Sequence, residues 1–578
     1  MRCPRFLTLV PASLVLVPGA FAQEVHELAV AHRAGQTFVT WRESPAVGVH
    51  YRLYRSLAPI DEPADLVDAD FLGEVDDQTS RNPERSAVER AERTWVLTSG
   101  AVPLAVDQGV FVHTLEADGF GYYAVTSVQG EFEDTAILPG ENASLFALPE
   151  FTAPPEPVLQ ARTLSRELYG HWVGDRDTPY QPALALTPSR AFVFALEPGR
   201  ALGRHGLLLR LHPVGGTYAQ GWPLRGLVPS DVDILALSDL HPTSGFTFWF
   251  GAHERFPALP LADTRVWNFT QERILWTLDW VSAHLGARHD PERVALAGSS
   301  LGATGGMYLV TEAPERFSAA LFRNGNYDLL AGDYTDSSPY QSLFGSFALD
   351  LPTRAGIPIL TRTNARRASE ATPEEDWPVL RLLNGRRDTK VGWASFAALV
   401  PALAQHHRPA AAYFDNRTHS PNGSWSPLEL ALVRRTTLVR RDRPTLCFSD
   451  STLDDPIGNG SRTSGALVGC VGGRMDYDPL TAATTADCVR FDVFLRAEGA
   501  LDDATVALAF ARLTPRRTAP FSLAPLETVH FVLSEGGVVL EEQLLTADEH
   551  GQVHTPLVPV TTSPREARFE RAPAVMGR

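Results

Sequence analysis

The chain has 578 residues, 44% hydrophobic and 21% charged, with a formal net charge of −17. That length exceeds one ordinary domain, and the composition is globular. The acidic balance excludes non-specific nucleic-acid binding, which rests on basic patches that neutralise phosphates.

At the N-terminus, Arg2 and Arg5 precede a short apolar segment that ends in Ala20-Phe21-Ala22. This is the pattern of an export signal cut after Ala22. Pro11 and Pro18 interrupt the segment, and no later run reaches the roughly 18 apolar residues of a membrane span. The mature chain is therefore expected to be soluble and secreted or periplasmic. Residues 24–150 hold alternating segments, among them "TFVTWRE", "VHYRLYRS" and "GFGYYAVTSVQG". Period-2 patterning with aromatic and β-branched residues predicts half-buried strands of a sandwich. The placing of Trp41, "YRLYRS" and "YYAVTSV" resembles a fibronectin type III domain. Residues 151–160, "FTAPPEPVLQ", read as a stiff proline-rich linker that pairs poorly.

From 161 to 438 short apolar strands alternate with helices, which predicts a doubly wound, mostly parallel α/β sheet. The strands are "GLLLRLHPVGG", "DVDILALSD", "RVALAG", "AALFRNG" and "VLRLLNG". Between the second and third, Arg273–Gly286 has helical spacing in Ile274, Leu278 and Val281. Residues 440–578 return to strands and predict a second, sandwich-like β domain. Cys447, Cys470 and Cys488 all lie there, and an oxidising compartment would permit one disulfide among them. They lack metal-ligand spacing. The acidic loop Ser449–Gly460 lacks EF-hand spacing and reads as a solvated turn before a calcium site.

The chemistry centres on Gly298-Ser299-Ser300-Leu301-Gly302. A strand that turns sharply into a helix exposes a serine hydroxyl, and glycines sit where side chains would collide with backbone. The central serine is Ser300. Such an elbow requires an acid and then a histidine, each in a loop after a later strand. Asp388 follows the strand Val379–Leu383, and His419 follows Ala410–Phe414. Asp415 is the rival acid, and His406-His407 is the rival base. Taken singly, Asp388 could be a turn former or a partner of Arg386, Arg387 or Lys390, and His419 could cap a loop. An oxyanion hole needs backbone N–H donors. Leu301 supplies one, and the loop Leu211–Tyr218 supplies the other through Val214 or Gly215, because Pro213 has no N–H.

"RVALAGSSLGATGGMYLVTEAPERFSAALFRNG", "LLNGRRDTKVGW" and the histidine before "GSW" resemble the secreted α/β-hydrolase esterases, a group that includes feruloyl and acetyl-xylan esterases, esterase D and polyhydroxyalkanoate depolymerases. Prolyl-oligopeptidase catalytic domains are similar at a greater distance. The resemblance covers roughly Gly206–Trp425 and departs at Pro213 and Ala303. It implies a Ser300-His419-Asp388 triad, an acyl-enzyme, and an ester substrate that could be polymeric or carbohydrate-linked, with no cofactor or metal. The alternatives are a prolyl-oligopeptidase-like peptidase, for which residues 24–150 are too few to build a propeller, and a non-catalytic scaffold that uses both sandwiches. Tyr334–Phe347, with Tyr340 and Phe344, could line an acyl pocket or belong to the core.

Overall fold

Runs such as Leu207–Leu209 and Val294–Ala297, apolar at every position, are covered only inside a sheet with helices on both faces. The computed structural model places them there. It describes residues 25–241, 244–331, 338–419, 427–496 and 506–572, and the expected leader lies outside them. Among the described residues, ten strands form the large sheet: β1 (Val158–Arg162), β2 (Glu167–Val173), β3 (Arg190–Glu197), β4 (His205–Leu211), β5 (Val232–Leu237), β6 (His289–Ser299), β7 (Ala319–Arg323), β8 (Val379–Gly385), β9 (Ala410–Asp415) and β10 (Gly469–Val471). Their spatial order is β10-β9-β8-β7-β6-β4-β5-β3-β2-β1. The block from β5 through β4, β6, β7 and β8 to β9 is parallel. The outer strands pair antiparallel.

Among the described residues, the helices packed on this sheet include α1 (Phe269–Leu285), α2 (Leu301–Glu312), α3 (Ala394–Gln405) and α4 (Pro427–Leu438). Strand alternation sorts the side chains between the faces. Leu207, Leu209 and Leu211 join Ile274 of α1, Met307 of α2 and Phe396 of α3 in one core. Leu208 joins Leu428 and Leu432 of α4 in the core on the other face.

The chain divides into two compact units, one ending at Arg81 and resuming as Leu104–Ala153, the other comprising Asn82–Pro103 and everything from Pro154 onward. Among its described residues the first unit has a three-stranded and a five-stranded sheet. Val39, Trp41 and Phe111 of one pack with Tyr51, Leu53 and Tyr123 of the other. The expected boundaries at 150 and 161 need correction at two places. Asn82–Pro103 leaves the sandwich and packs in the second unit, where the Gln160 amide bonds Val96 N–H and C=O, each at 2.9 Å, and Trp95 meets Trp172 edge-on at 5.2 Å. Val158–Gln160, read as unpaired linker, instead opens β1, because β2 offers it a free edge.

Among the described residues the C-terminal region forms a three-stranded sheet and a six-stranded sheet around a core that includes Phe491, Phe531 and Phe569. It is not cleanly separate, since β10 pairs with β9 at the edge of the large sheet. The expected disulfide is absent, and all three thiols are free. Cys447 lies opposite Thr514, Cys470 opposite Tyr413, and Cys488 opposite Glu570, so each sulfur has a different strand neighbour. In the loop Ser449–Gly460, Asp454 and Asp455 accept the Gly472 and Cys470 N–H groups at 2.7 and 2.9 Å. Among the described residues no cluster of three or more potential ligands could hold a metal.

Candidate active site

β6 ends at Ser299, and α2 begins at Leu301. Ser300 between them has φ 57° and ψ −122°, a strained conformation for a non-glycine residue that costs on the order of 1–3 kcal/mol. Its N–H donates to Arg323 C=O at 2.8 Å, anchoring the turn on β7. The turn closes only around glycine. A Cβ on Gly298 would lie 2.2 Å from Gly302 C=O, and one on Gly302 would lie 2.3 Å from Leu211 C=O. Ser299 points elsewhere, and its hydroxyl accepts Arg323 Nε–H at 3.3 Å.

The structure brings together the three residues singled out in the sequence. Ser300 Oγ lies 2.7 Å from His419 Nε2, and His419 Nδ1 lies 2.7 Å from Asp388 Oδ2. Asp388 is fully buried. Its other oxygen accepts the Lys390 and Val391 N–H groups at 2.8 and 3.2 Å, so the carboxylate is held by backbone and not by the neighbouring cations. Arg386 turns away to the carbonyls of Arg462, Ser464 and Ala466. Asp415 and His407 are engaged elsewhere. Asp415 is clamped by Arg417 Nε, 2.7 Å from each oxygen, and the His407 ring packs on His554 with centroids 4.0 Å apart.

The loop after β4 is fixed by groups that the sequence did not single out. His212 Nε2 accepts Asp239 N–H at 2.9 Å, which puts the ring proton on Nδ1, 2.7 Å from Pro213 C=O. Burial holds this imidazole below its usual range and therefore neutral. Gly216 N–H donates to the same carbonyl at 3.0 Å. Because the peptide plane is rigid and trans, pinning Pro213 C=O also fixes Val214 N–H, directed the opposite way. The start of α2 lies against this loop, since a Cβ on Gly302 would meet the Leu211 and His212 carbonyls. Asp239 accepts Thr247 and Trp249 N–H at 3.0 and 2.8 Å, which holds Phe248 and Trp249 at φ 55° and 58°. Tyr340 and Phe344 belong to the core with Phe248, and Tyr334 lies outside the described residues.

The large sheet is mostly parallel, with Ser300 at the end of its central strand β6. No family model matches the chain, and no curated protein matches it. Similar solved structures include an S-formylglutathione hydrolase from Agrobacterium tumefaciens, 14% identical over 49% of this chain and 95% of that one, TM-score 0.32. Acetyl xylan esterase 1 from Thermoanaerobacterium sp. is 12% identical over 49% of this chain and 88% of that one, TM-score 0.32. The acylaminoacyl peptidase of Pyrococcus horikoshii is 8% identical over 68% and 66%, TM-score 0.31. At such identities and scores the likeness says nothing of the site, which stands on its own geometry. Among the described residues no helix is long and apolar enough to cross a membrane.

Proposed function

We propose that this protein is a secreted serine hydrolase that cleaves carboxylic esters through an acyl-enzyme on Ser300. The reading is carried by the two 2.7 Å contacts that join Ser300, His419 and Asp388 in one line. His419 Nε2 takes the Ser300 proton as Oγ attacks the ester carbonyl. Leu301 and Val214 N–H groups receive the oxyanion, each such donor being worth about 2.7–4 kcal/mol. His419 then protonates the leaving alcohol. A water, deprotonated by the same ring, releases the acid and restores Ser300. Asp388 keeps the Nδ1 proton in place and stabilises the imidazolium. Met1–Ala22 directs export, and the N-terminal fibronectin type III-like sandwich presents the enzyme to a polymeric or carbohydrate-linked ester.

A fluorophosphonate probe should label Ser300 stoichiometrically in wild type and not at all in Ser300→Ala. Asp388→Asn should lower ester kcat by about four orders of magnitude because the tautomer is lost, whereas Asp415→Asn should leave most of it. Short-chain esters should be turned over in preference to proline-containing amides, and the opposite preference would replace the esterase reading with a peptidase.

A further inference from the structure

One buried side chain outside the triad touches the carriers of both its acid and its base. Asn324 directly follows β7, is 1% exposed and holds φ 52°. Its Nδ2 donates to His419 C=O at 2.8 Å. Its Oδ1 accepts Gly385 N–H at 3.2 Å, three residues before Asp388. Its own N–H donates to Leu383 C=O at 2.8 Å. The preceding residue, Arg323, supplies the carbonyl that holds Ser300 N–H. The dipeptide Arg323-Asn324 therefore bonds to the nucleophile turn, the acid loop and the histidine loop at once. The left-handed backbone suits asparagine, which tolerates φ > 0 better than most side chains.

We propose that Asn324 is a positioning residue for the reaction, setting the His419 backbone relative to Ser300 and Asp388 through its Nδ2–H bond. This rests on the hydrolase reading above. The Asn324 bond ties the His419 backbone to the end of β7, and the imidazole bridges two partners at 2.7 Å each. A shift of the loop by a fraction of an ångström lengthens one of those contacts.

Two variants separate positioning from packing. Asn324→Gly keeps the φ > 0 backbone unstrained and deletes both side-chain bonds. Asn324→Asp, assayed on the alkaline plateau, keeps the shape and the acceptor for Gly385 N–H but replaces the donor to His419 C=O with a repelling oxygen. Both should lower kcat per fluorophosphonate-titrated site by about ten- to a hundred-fold, the scale of a misplaced catalytic group, with KM nearly unchanged. A purely structural role would lower the number of titratable sites and leave turnover per site intact. That result, or an Asn324→Asp variant with wild-type turnover per site, overturns the proposal alone. A wild-type protein that neither labels at Ser300 nor turns over esters overturns the hydrolase reading and this one with it.

Discussion

Gly302 shows how tightly single atoms govern this site. An added Cβ would lie 2.3 Å from Leu211 C=O and 2.8 Å from His212 C=O, and both are backbone atoms that cannot rotate away. Gly302→Ala should therefore push α2 off the loop after β4 and separate the Leu301 and Val214 amides. Overpacking of this kind costs about 1–3 kcal/mol, so ester turnover should collapse while the thermal midpoint falls only by several degrees. Turnover at wild-type level in that variant would mean that the two amides do not share an oxyanion. The line Ser300, Asp388, His419 was legible in the sequence because each residue sits in a loop directly after a strand, and chain order carries the signal. Asn324 was not legible. Its partners, His419 and Gly385, are 95 and 61 residues away, and nothing local distinguishes it from any turn asparagine. His212 stood in the sequence as part of a loop; its tautomer is set by Asp239, which only the pairing of β4 with β5 brings near.

At the scale of elements, the segment Asn82–Pro103 is the largest departure from the sequence reading. Its helix, Pro83–Glu89, is capped by Asn82, whose side chain accepts Arg85 N–H at 3.0 Å, and its Trp95 is nearly fully buried. A segment held this way is part of its host's fold. Trp95→Ala should cost about 3–5 kcal/mol, the usual effect of emptying a buried tryptophan site, read as a drop in the denaturant midpoint of the second unit. A change within a few tenths would mark the segment as a loosely attached loop. The alternating pattern that predicted strands on both sides of it says nothing about where the intervening polar stretch docks. β1 and β10 escaped for a related reason: each is a short edge strand recruited by a neighbour, and its own residues carry almost no periodicity. The thiols follow from the same pairings. Burial pushes Cys447 and Cys470 up to about 12, so alkylation of the folded protein at neutral pH should begin at half-buried Cys488, and the other two should react only on unfolding.

For the whole molecule, buried imidazoles tie stability to acidity. His171 is buried, stacked on Trp276 with centroids 4.1 Å apart, and 2.9 Å from Gln181 Nε2; desolvation lowers it to about 3. His407, against His554 and near Arg516, is lowered to about 4, again chiefly by burial. Above the unfolded value of about 6.5 these groups are neutral in both states and contribute no pH dependence. Between about 6.5 and 4 the unfolded chain binds protons that the folded one refuses, so stability falls with pH by up to about 1.4 kcal/mol per unit for each such group. Denaturant midpoints measured across that window should fall as pH falls, and less steeply in His407→Gln. An equal slope in the variant would show that His407 titrates normally in the folded state.

The excursion of Asn82–Pro103 gives the N-terminal sandwich three covalent crossings to the second unit, after Arg81, after Pro103 and after Ala153. A single protease cut at any one crossing leaves the sandwich tethered through the other two. In a lineage that exchanges modules by recombination, a single breakpoint at residue 153 would carry away Trp95 and the Gln160 partner Val96 with the sandwich, leaving the recipient with an unfilled site beside β2. This sandwich is therefore not free to be shuffled as an appended bead would be, and the sequence of Asn82–Pro103 should change in step with that of the second unit.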